Sequence, residues 1–325
     1  MDNTKLQKHR MKYWQAESFI YRVSDHMPKK FYKRSHYSNK KILTGASGLD
    51  AIIDLFNNNK PFMIGRYGTS EGRALIEYYQ IKLGLRKDYL PRTKKFLCCN
   101  AGFFPDDNQS INQWGEMLSE LSKECDIMGV MNYYCEGWAI ENLCPNALLV
   151  PNGCIASGTD GYTHCLENKK VLVIHPMNKT IENQYFNKRE LLYPNSNTLP
   201  KFDLKTIKAV NTQADEVDTR FATWFDALDY MTDEALKVDF DIALIGCGAY
   251  GFPLAARIKQ MGKTAIHMGG AVQTLFGIKM LRGDNNPSIN KMYNDAWIYP
   301  DESDKPKGFE KIEGGCYWAP QNKNT

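Results

Sequence analysis

The stretch Asp239–Leu281 reads DFDIALIGCGAYGFPLAARIKQMGKTAIHMGGAVQTLFGIKML, and its pattern decides the fold. It opens with the apolar run Ile242–Ile245, which is typical of a buried strand, and glycines follow at once. Apolar residues at helical spacing then predict a helix that ends near Gly262, and Thr264–His267 predicts a second strand. A strand, a glycine turn, a helix and a strand within about thirty residues form the pattern of a right-handed parallel crossover.

The rest of the chain repeats this alternation of strand and helix, which predicts an α/β, Rossmann-like fold with a mostly parallel sheet flanked by helices. Residues 93–104 are predicted as strand and loop, and residues 132–161 as irregular connections with short strands. Further strands are predicted at residues 61–65, 126–131, 147–150, 170–176 and 206–210. The main further helices are predicted at residues 47–60, with Ser47 as N-cap, and at 70–85, 111–123, 179–192 and 218–238.

Composition is that of a globular protein, with 325 residues, 43% hydrophobic and 24% charged. The sequence has no run of eighteen apolar residues and no apolar core near its N-terminus of the kind that a secretory signal needs. We therefore expect a cytoplasmic protein, at most peripheral at the inner membrane face. Its nine cysteines are odd in number and form no C-x-x-C pair, which favours buried thiols over disulfides or a zinc site.

Residues 1–45 are predicted to be a basic, aromatic N-terminal arm, and residues 46–325 a single domain with a C-terminal docking tail. The arm holds eleven Lys and Arg against three acids, a charge of +8, so the remainder is −4. One interpretation is contact with an anionic membrane or nucleic acid. The other is a solvated arm whose aromatics pack on the main body. We favour the second, with no nucleic acid expected, because the aromatics form no helical stripe: Tyr13, Trp14, Phe19, Tyr21, Phe31 and Tyr32.

The glycine turn after Ile245 spells G-x-G-x-x-G, with Gly246, Gly248 and Gly251. Such a turn lets a phosphate approach the backbone, but it also serves tight packing, and the spacing does not separate these readings. No Lys-Ser/Thr follows, so it is not a Walker loop. The second strand closes on His267 where an NAD site needs an acidic residue, which argues against a standard NAD site.

A second strand-to-helix turn carries R-Y-G-T-S-E, residues 66–71. Glu71 stands in the first turn of a helix, where its charge suits the helix dipole and Arg66 would be its salt-bridge partner. Alternatively, Arg66 grips a phosphate while Glu71 acts as a base or helps to hold a divalent cation. Spacing alone leaves both open.

Four predicted strands end in polar or glycine groups: Arg66 with Gly68, His175, Gly246–Gly251, and His267–Gly270. In a parallel sheet all four ends lie along one edge. They would then form one cleft with an arginine, two histidines and two helix amino ends, which suits a pyrophosphate.

The stretch R-Y-G-T-S-E resembles the Arg-aromatic-Gly-Asp-Gly-Glu motif of glycosyltransferases of the GT-D fold type. The blocks VLVIHP, ALIGCGAYGFPLA, HMGGAVQTLFGIK and EGGCYW resemble bacterial proteins with a GT-D-like domain, which are often found with surface-polysaccharide genes. The resemblance covers roughly Ser47 to Trp318. It implies a domain that binds a nucleotide sugar, typically a uridine diphosphate sugar, and passes the sugar to a glycan or lipid-linked glycan acceptor.

The sequence departs from that motif at one position that bears on metal binding. The family binds Mn²⁺ or Mg²⁺ through Asp-x-Glu, and here Thr69 stands in place of the aspartate, so that Glu71 remains as a lone carboxylate. Without a metal, Arg66, Lys279 or helix amino ends would balance the charge of the leaving diphosphate.

The resulting hypothesis is a glycosyltransferase with Glu71 or His175 as the catalytic base. Two alternatives remain: a nucleotide-binding protein of the same fold without transfer activity, and an S-adenosylmethionine-dependent methyltransferase. The predicted substrate-binding residues are Arg66, Tyr67, Gly68, Thr69, Gly246, Gly248, Tyr250, Gly251, His267, Gly269, Gly270, Gln273 and Lys279.

Overall fold

The computed structural model describes residues 3–24, 36–37, 40–156 and 161–319. The strands in these residues are β1 (His36–Tyr37), β2 (Lys40–Lys41), β3 (Met63–Gly65), β4 (Ile127–Val130), β5 (Leu148–Pro151), β6 (Lys170–His175), β7 (Asp203–Lys208), β8 (Ile242–Ile245) and β9 (Thr264–His267). Strands β1 and β2 form a small antiparallel ribbon, and the other seven form one sheet in the order β5-β4-β3-β9-β8-β6-β7.

Every pairing within the seven-stranded sheet is parallel. Ile245 of β8 pairs with His267 of β9, and Ile64 of β3 pairs with Ile266 of β9, so the ends of these strands are level. The predicted α/β, Rossmann-like fold with a mostly parallel sheet is therefore confirmed. The carboxyl ends of β3, β9, β8 and β6 lie side by side at one edge.

Helices cover both faces of the sheet. They are α1 (Asn3–Ser24), α2 (Ala46–Asn57), α3 (Thr69–Lys82), α4 (Pro91–Lys95), α5 (Asn108–Leu121), α6 (Glu136–Leu143), α7 (Asn152–Ile155), α8 (Asn178–Leu192), α9 (Trp224–Leu236), α10 (Gly251–Gln260), α11 (Ala271–Leu275), α12 (Leu281–Asp284) and α13 (Pro287–Asn290). Two apolar clusters form the core. One holds buried residues of α3, α5, α9 and α10, and the other holds buried residues of α2, α8 and α11.

The direction of the connections explains where a cleft can open. The connections β3 to β4 and β8 to β9 step toward the β5 edge, and their helices α3 and α10 belong to the first cluster. The connection β6 to β7 steps the other way, and its helix α8 belongs to the second cluster. Neighbouring strands β6 and β8 therefore send their chains to opposite faces, which is the arrangement that leaves a crevice at the carboxyl edge.

Three predicted elements differ from the structure. Residues 93–104 do not form a strand. Pro91 takes the first position of α4, and a π-helical turn, Phe96–Asn100, continues this helix. Helix α9 begins six residues later than predicted, because Thr223 and Asp226 form a reciprocal capping box. Helix α6 lies within the segment that was predicted to be irregular.

The N-cap of α2 is also different from the prediction. The helix begins at Ala46 after Gly45, whose φ of 58° lies in the region that favours glycine. Ser47 is inside the first turn, and its hydroxyl donates to the carbonyl of Thr44 at 2.9 Å.

The basic N-terminal segment begins with a helix, α1. Trp14 is buried, its Nε1 donates to Glu141 at 2.9 Å, and its ring stacks on Tyr37 with centroids 5.9 Å apart. Tyr13, in contrast, is 60% exposed. The side chains of Phe19, Tyr21, Phe31 and Tyr32 lie outside the described residues, and so do residues 25–35 as a whole.

Among the described helices, none combines the length and the apolar character that crossing a membrane requires.

Candidate functional site

A large cavity of about 890 Å³ opens at the carboxyl edge of the sheet, above β3, β9, β8 and β6. Its size falls within the range of small-molecule sites. Eleven residues that the sequence predicts for the site lie on its wall: Arg66, Gly68, Thr69, Glu71, His175, Gly246, Gly248, His267, Gly269, Gly270 and Gln273. The large cavity thus brings the four predicted strand ends together.

Arg66 follows β3 directly and is partly buried in the wall of the large cavity. It makes no hydrogen bond or salt bridge with any residue that the structure describes. Its guanidinium lies against Gly269, so closely that a Cβ at that position would overlap it, and the φ of Gly269 is +59°. A cation that is partly desolvated and unpaired is a strong site for an anionic ligand, because the guanidinium can bind two phosphate oxygens at once.

The glycine turn at Gly246–Gly251 has fewer free backbone N–H groups than its sequence predicts. The N–H groups of Gly246, Ala249 and Tyr250 donate to the carbonyls of Ile174, Ala101 and Cys247, at 3.0, 2.8 and 3.3 Å. Gly248 has a φ of +56°, and a Cβ there would lie 2.6 Å from the Ala101 oxygen. Packing against Ala101 is therefore one reason for glycine in this turn, and Arg66 is the stronger anchor for an anion.

Glu71 lies in the first turn of α3, which starts where β3 delivers the chain to the large cavity. Its carboxylate folds back over Gly68, where a Cβ would overlap it. Burial raises the pKa of Glu71; its own backbone N–H and the charge of Arg66 oppose this rise, and the carboxylate of Glu313 adds to it. A carboxyl group with a raised pKa is a better proton acceptor than an ordinary one.

His175 closes β6 and is 5% exposed. Its Nδ1 accepts a hydrogen bond from the backbone N–H of Met177 at 3.1 Å. Burial lowers the pKa of His175 to about 3, so the ring is neutral, and with Nδ1 as acceptor the proton is on Nε2. In this state His175 is a hydrogen-bond donor at Nε2. Glu71 is therefore the better candidate for the base.

His267 closes β9 and is 3% exposed. Its ring packs on Gly251, where a Cβ would lie 2.5 Å from Cε1 and 2.6 Å from Nδ1. Burial, and after it the charge of Arg66, lowers the pKa of His267 well below its ordinary value, so this ring is also neutral. Its Nδ1 has no hydrogen-bond partner among the described residues.

The C-terminal segment supplies a wall of the large cavity that sequence reasoning only partly anticipated. Gln273 Nε2 donates to the carbonyl of Tyr317 at 3.0 Å, and the tail thereby contacts α11. Arg282 lies 4.6 Å from the Tyr317 ring centroid and forms a 2.5 Å salt bridge with Glu313. The glycine-rich E-G-G-C-Y-W stretch indicated docking over the sheet, but no sequence signal pointed to Arg282 or to its pairing.

Four predicted site residues lie off the wall of the large cavity. Tyr67 is buried with its hydroxyl donating to Ser122 at 2.5 Å, and Tyr250 stacks on Trp224 with centroids 4.8 Å apart. Gly251 serves the packing of His267. The ammonium of Lys279 lies over the rings of Tyr293 and Tyr299.

The carboxylates on the wall do not form a metal site. Within the described residues, Glu71 and Glu313 are the acidic side chains that line the large cavity, and Glu313 is paired with Arg282. No group of three His, Cys, Asp or Glu side chains there could hold a metal ion.

No family model and no curated protein matches the chain. A solved structure, described as the selenomethionine-substituted structure of domain of unknown function 1792, has a TM-score of 0.41 to this chain and 13% sequence identity. The similarity covers 73% of this chain and 80% of that one. A similarity this distant says nothing about the activity.

Proposed function

We propose that this chain is a glycosyltransferase that moves a sugar from a nucleotide diphosphate sugar, in the first instance a uridine diphosphate sugar, to a glycan or lipid-linked glycan. The observation that carries the proposal is the unpaired guanidinium of Arg66 in the wall of the large cavity. A diphosphate is an anion of the size and charge that such a group binds. The likeness of residues 66–71 to the GT-D motif supports the same assignment.

The volume of the large cavity supports a site that holds two substrates. A cavity of about 890 Å³ is near the upper end of the usual range for small-molecule sites, which leaves room for an acceptor beside the donor. The neutral ring of His175 presents Nε2–H as a donor that can bind a phosphate oxygen without adding charge.

In the proposed reaction, Glu71 takes the proton of the acceptor hydroxyl as that oxygen attacks the anomeric carbon of the sugar. The bond between this carbon and the diphosphate oxygen breaks, and the nucleotide diphosphate leaves with the electron pair. Arg66 balances the charge that develops on the leaving group. Glu71 and Arg66 both start from the β3–α3 turn, so one turn would hold the leaving group and the base together.

The test is a transfer assay on the Glu71→Gln variant. Glutamine keeps the size of the side chain but cannot accept the proton, so we expect transfer to fall by about 10²- to 10⁴-fold while donor affinity and melting temperature are retained. The matched control is Glu116→Gln on the exposed face of α5, which should transfer normally. Full activity of Glu71→Gln would remove Glu71 from the mechanism.

The second candidate is a nucleotide-binding protein without transfer activity. Thr69 in place of the motif's aspartate favours it, and so does the lack, among the described residues, of three His, Cys, Asp or Glu side chains grouped to hold a metal. Tight, stoichiometric nucleotide binding without sugar transfer or release from any donor would select this candidate over the first.

The setting of the reaction is part of the proposal. A lipid-linked acceptor would place the protein at the cytoplasmic face of the membrane, with contact to anionic lipid through residues 1–45. Binding of the purified protein to vesicles with and without anionic lipid measures this directly.

A further inference from the structure

A small cavity shares five of its lining residues with the large one: Arg66, Gly68, Glu71, Gly248 and His267. Its volume is about 10 Å³, and its wall includes Arg66, Glu71, Trp114, Gly248 and His267. A space of this measure holds a single water molecule, provided that the water finds two to four polar partners.

Two residues that line the small cavity each carry a buried polar atom without a hydrogen-bond partner among the described residues. Trp114, on α5, is fully buried, and its Nε1 makes no hydrogen bond with any described residue. His267 Nδ1 is buried and equally without a partner. An indole N–H can only donate, whereas a neutral imidazole has one nitrogen that donates and one that accepts. A water between them would satisfy both atoms, since it can accept from the indole and donate to the ring.

We propose that one ordered water occupies the small cavity, accepts a hydrogen bond from Trp114 Nε1–H and donates one to His267 Nδ1. The ring proton of His267 is then on Nε2, and His267 presents a neutral N–H donor to a ligand in the large cavity. Trp114 is a positioning residue, because it acts on the ligand only through the water and the ring of His267.

The proposal gives both histidines of the site the same tautomer by different means. His175 is held with its proton on Nε2 by the backbone N–H of Met177. Among the described residues, His267 has no such backbone donor at Nδ1, and the water would donate that hydrogen bond instead. The role of this donor toward a diphosphate rests on the proposed function; the water and the tautomer do not.

The tautomer is measured on the full-length, ligand-free protein by ¹⁵N–¹H correlation spectra of the histidine rings. We expect His267 to show a protonated Nε2 and an unprotonated Nδ1. A spectrum with the proton on Nδ1, or with a charged ring at pH 7, would overturn the proposal. Since the sample contains no nucleotide sugar, this outcome is independent of whether the protein transfers sugars.

The variant that tests the role of Trp114 is Trp114→Phe, which removes the indole N–H and keeps an aromatic ring. We expect the His267 signals to become those of a tautomer mixture and nucleotide affinity to fall roughly tenfold, the loss of about one hydrogen bond. Trp138→Phe and Trp224→Phe are matched controls, because both indoles are fully buried with an unpartnered Nε1 but neither lines the small cavity.

The controls separate the positioning role from stability. All three variants should lower the melting temperature, but only Trp114→Phe should change the His267 ring spectrum. An unchanged spectrum in a folded Trp114→Phe protein contradicts the proposal. If that variant does not fold, the wild-type spectrum and a high-resolution crystal structure decide, and an empty small cavity in that structure would refute the water.

Discussion

Arg66 is the residue on which donor binding should depend most. Replacement by alanine removes a partly buried cation from the wall, so we expect nucleotide diphosphate affinity to fall by about 10- to 100-fold, the size of a lost charged hydrogen bond. The affinity of Arg66→Lys should lie between those of wild type and Arg66→Ala, since an ammonium keeps the charge but loses the bidentate geometry. Titration calorimetry measures both.

The matched control for Arg66 is Arg92→Ala. Arg92 is exposed and lies over the ring of Phe96, away from the large cavity. Its removal should leave nucleotide affinity unchanged. Equal affinities of wild type and Arg66→Ala would place the anion elsewhere.

The pH dependence of transfer should report the environment of Glu71. A base must be deprotonated to act, so kcat/KM should rise with pH through the pKa of Glu71, which burial raises above 4.5. The nearby carboxylate of Glu313 contributes to this rise. Glu313→Gln removes that negative charge, so the pKa of Glu71 should fall and the acidic limb of the profile should move to lower pH.

The control for this profile is Glu310→Gln, an exposed acid in the same segment that does not line the large cavity. It should leave the limb in place. A limb that moves to higher pH in Glu313→Gln, or does not move, would mean that the profile reports another group.

At the scale of elements, the junction between α10 and β9 fixes the position of His267. Gly251 is the first residue of α10, and a Cβ there would meet Cε1 and Nδ1 of His267 at 2.5 and 2.6 Å. Alanine is a better helix former than glycine by up to about 1 kcal/mol, but displacing a buried ring costs about 1–3 kcal/mol. We expect Gly251→Ala to lower the free energy of unfolding and to weaken nucleotide binding.

Denaturant unfolding measures the first effect and calorimetry the second. Gly153→Ala is the stability control, because a Cβ at that position meets nothing within 4 Å and its φ is not positive. A Gly251→Ala protein as stable as wild type would mean that the ring of His267 moves freely.

The whole sheet was more predictable than the tail that closes the site. Apolar runs followed by glycine or a polar residue indicated β3, β6, β8 and β9, because parallel strands buried on both faces leave that pattern. Since the carboxyl ends of parallel strands share an edge, the meeting of Arg66, Glu71, His175 and His267 followed from the sequence alone.

The features of the site that the sequence did not predict depend mostly on contacts between distant parts of the chain. The Nδ1 atom of His175 accepts from a backbone N–H, that of Met177. The salt bridge between Arg282 and Glu313 joins residues 31 positions apart. Trp114 lines the small cavity together with His267, which is far from it in the sequence. None of these leaves a local pattern. Tyr67, Tyr250 and Lys279 fit the motifs, yet packing directs their side chains away from the large cavity.

The central claim is that the large cavity binds a nucleotide diphosphate sugar, and calorimetric titration of the full-length protein with a panel of ligands tests it most directly. The panel contains uridine diphosphate sugars, other nucleotide sugars, free nucleotides and S-adenosylmethionine, each with Mn²⁺ and with a chelator. We predict one-to-one binding of a uridine diphosphate sugar that persists in the chelator and is weakened in Arg66→Ala. Binding of S-adenosylmethionine alone, or of no nucleotide at all, would contradict the claim.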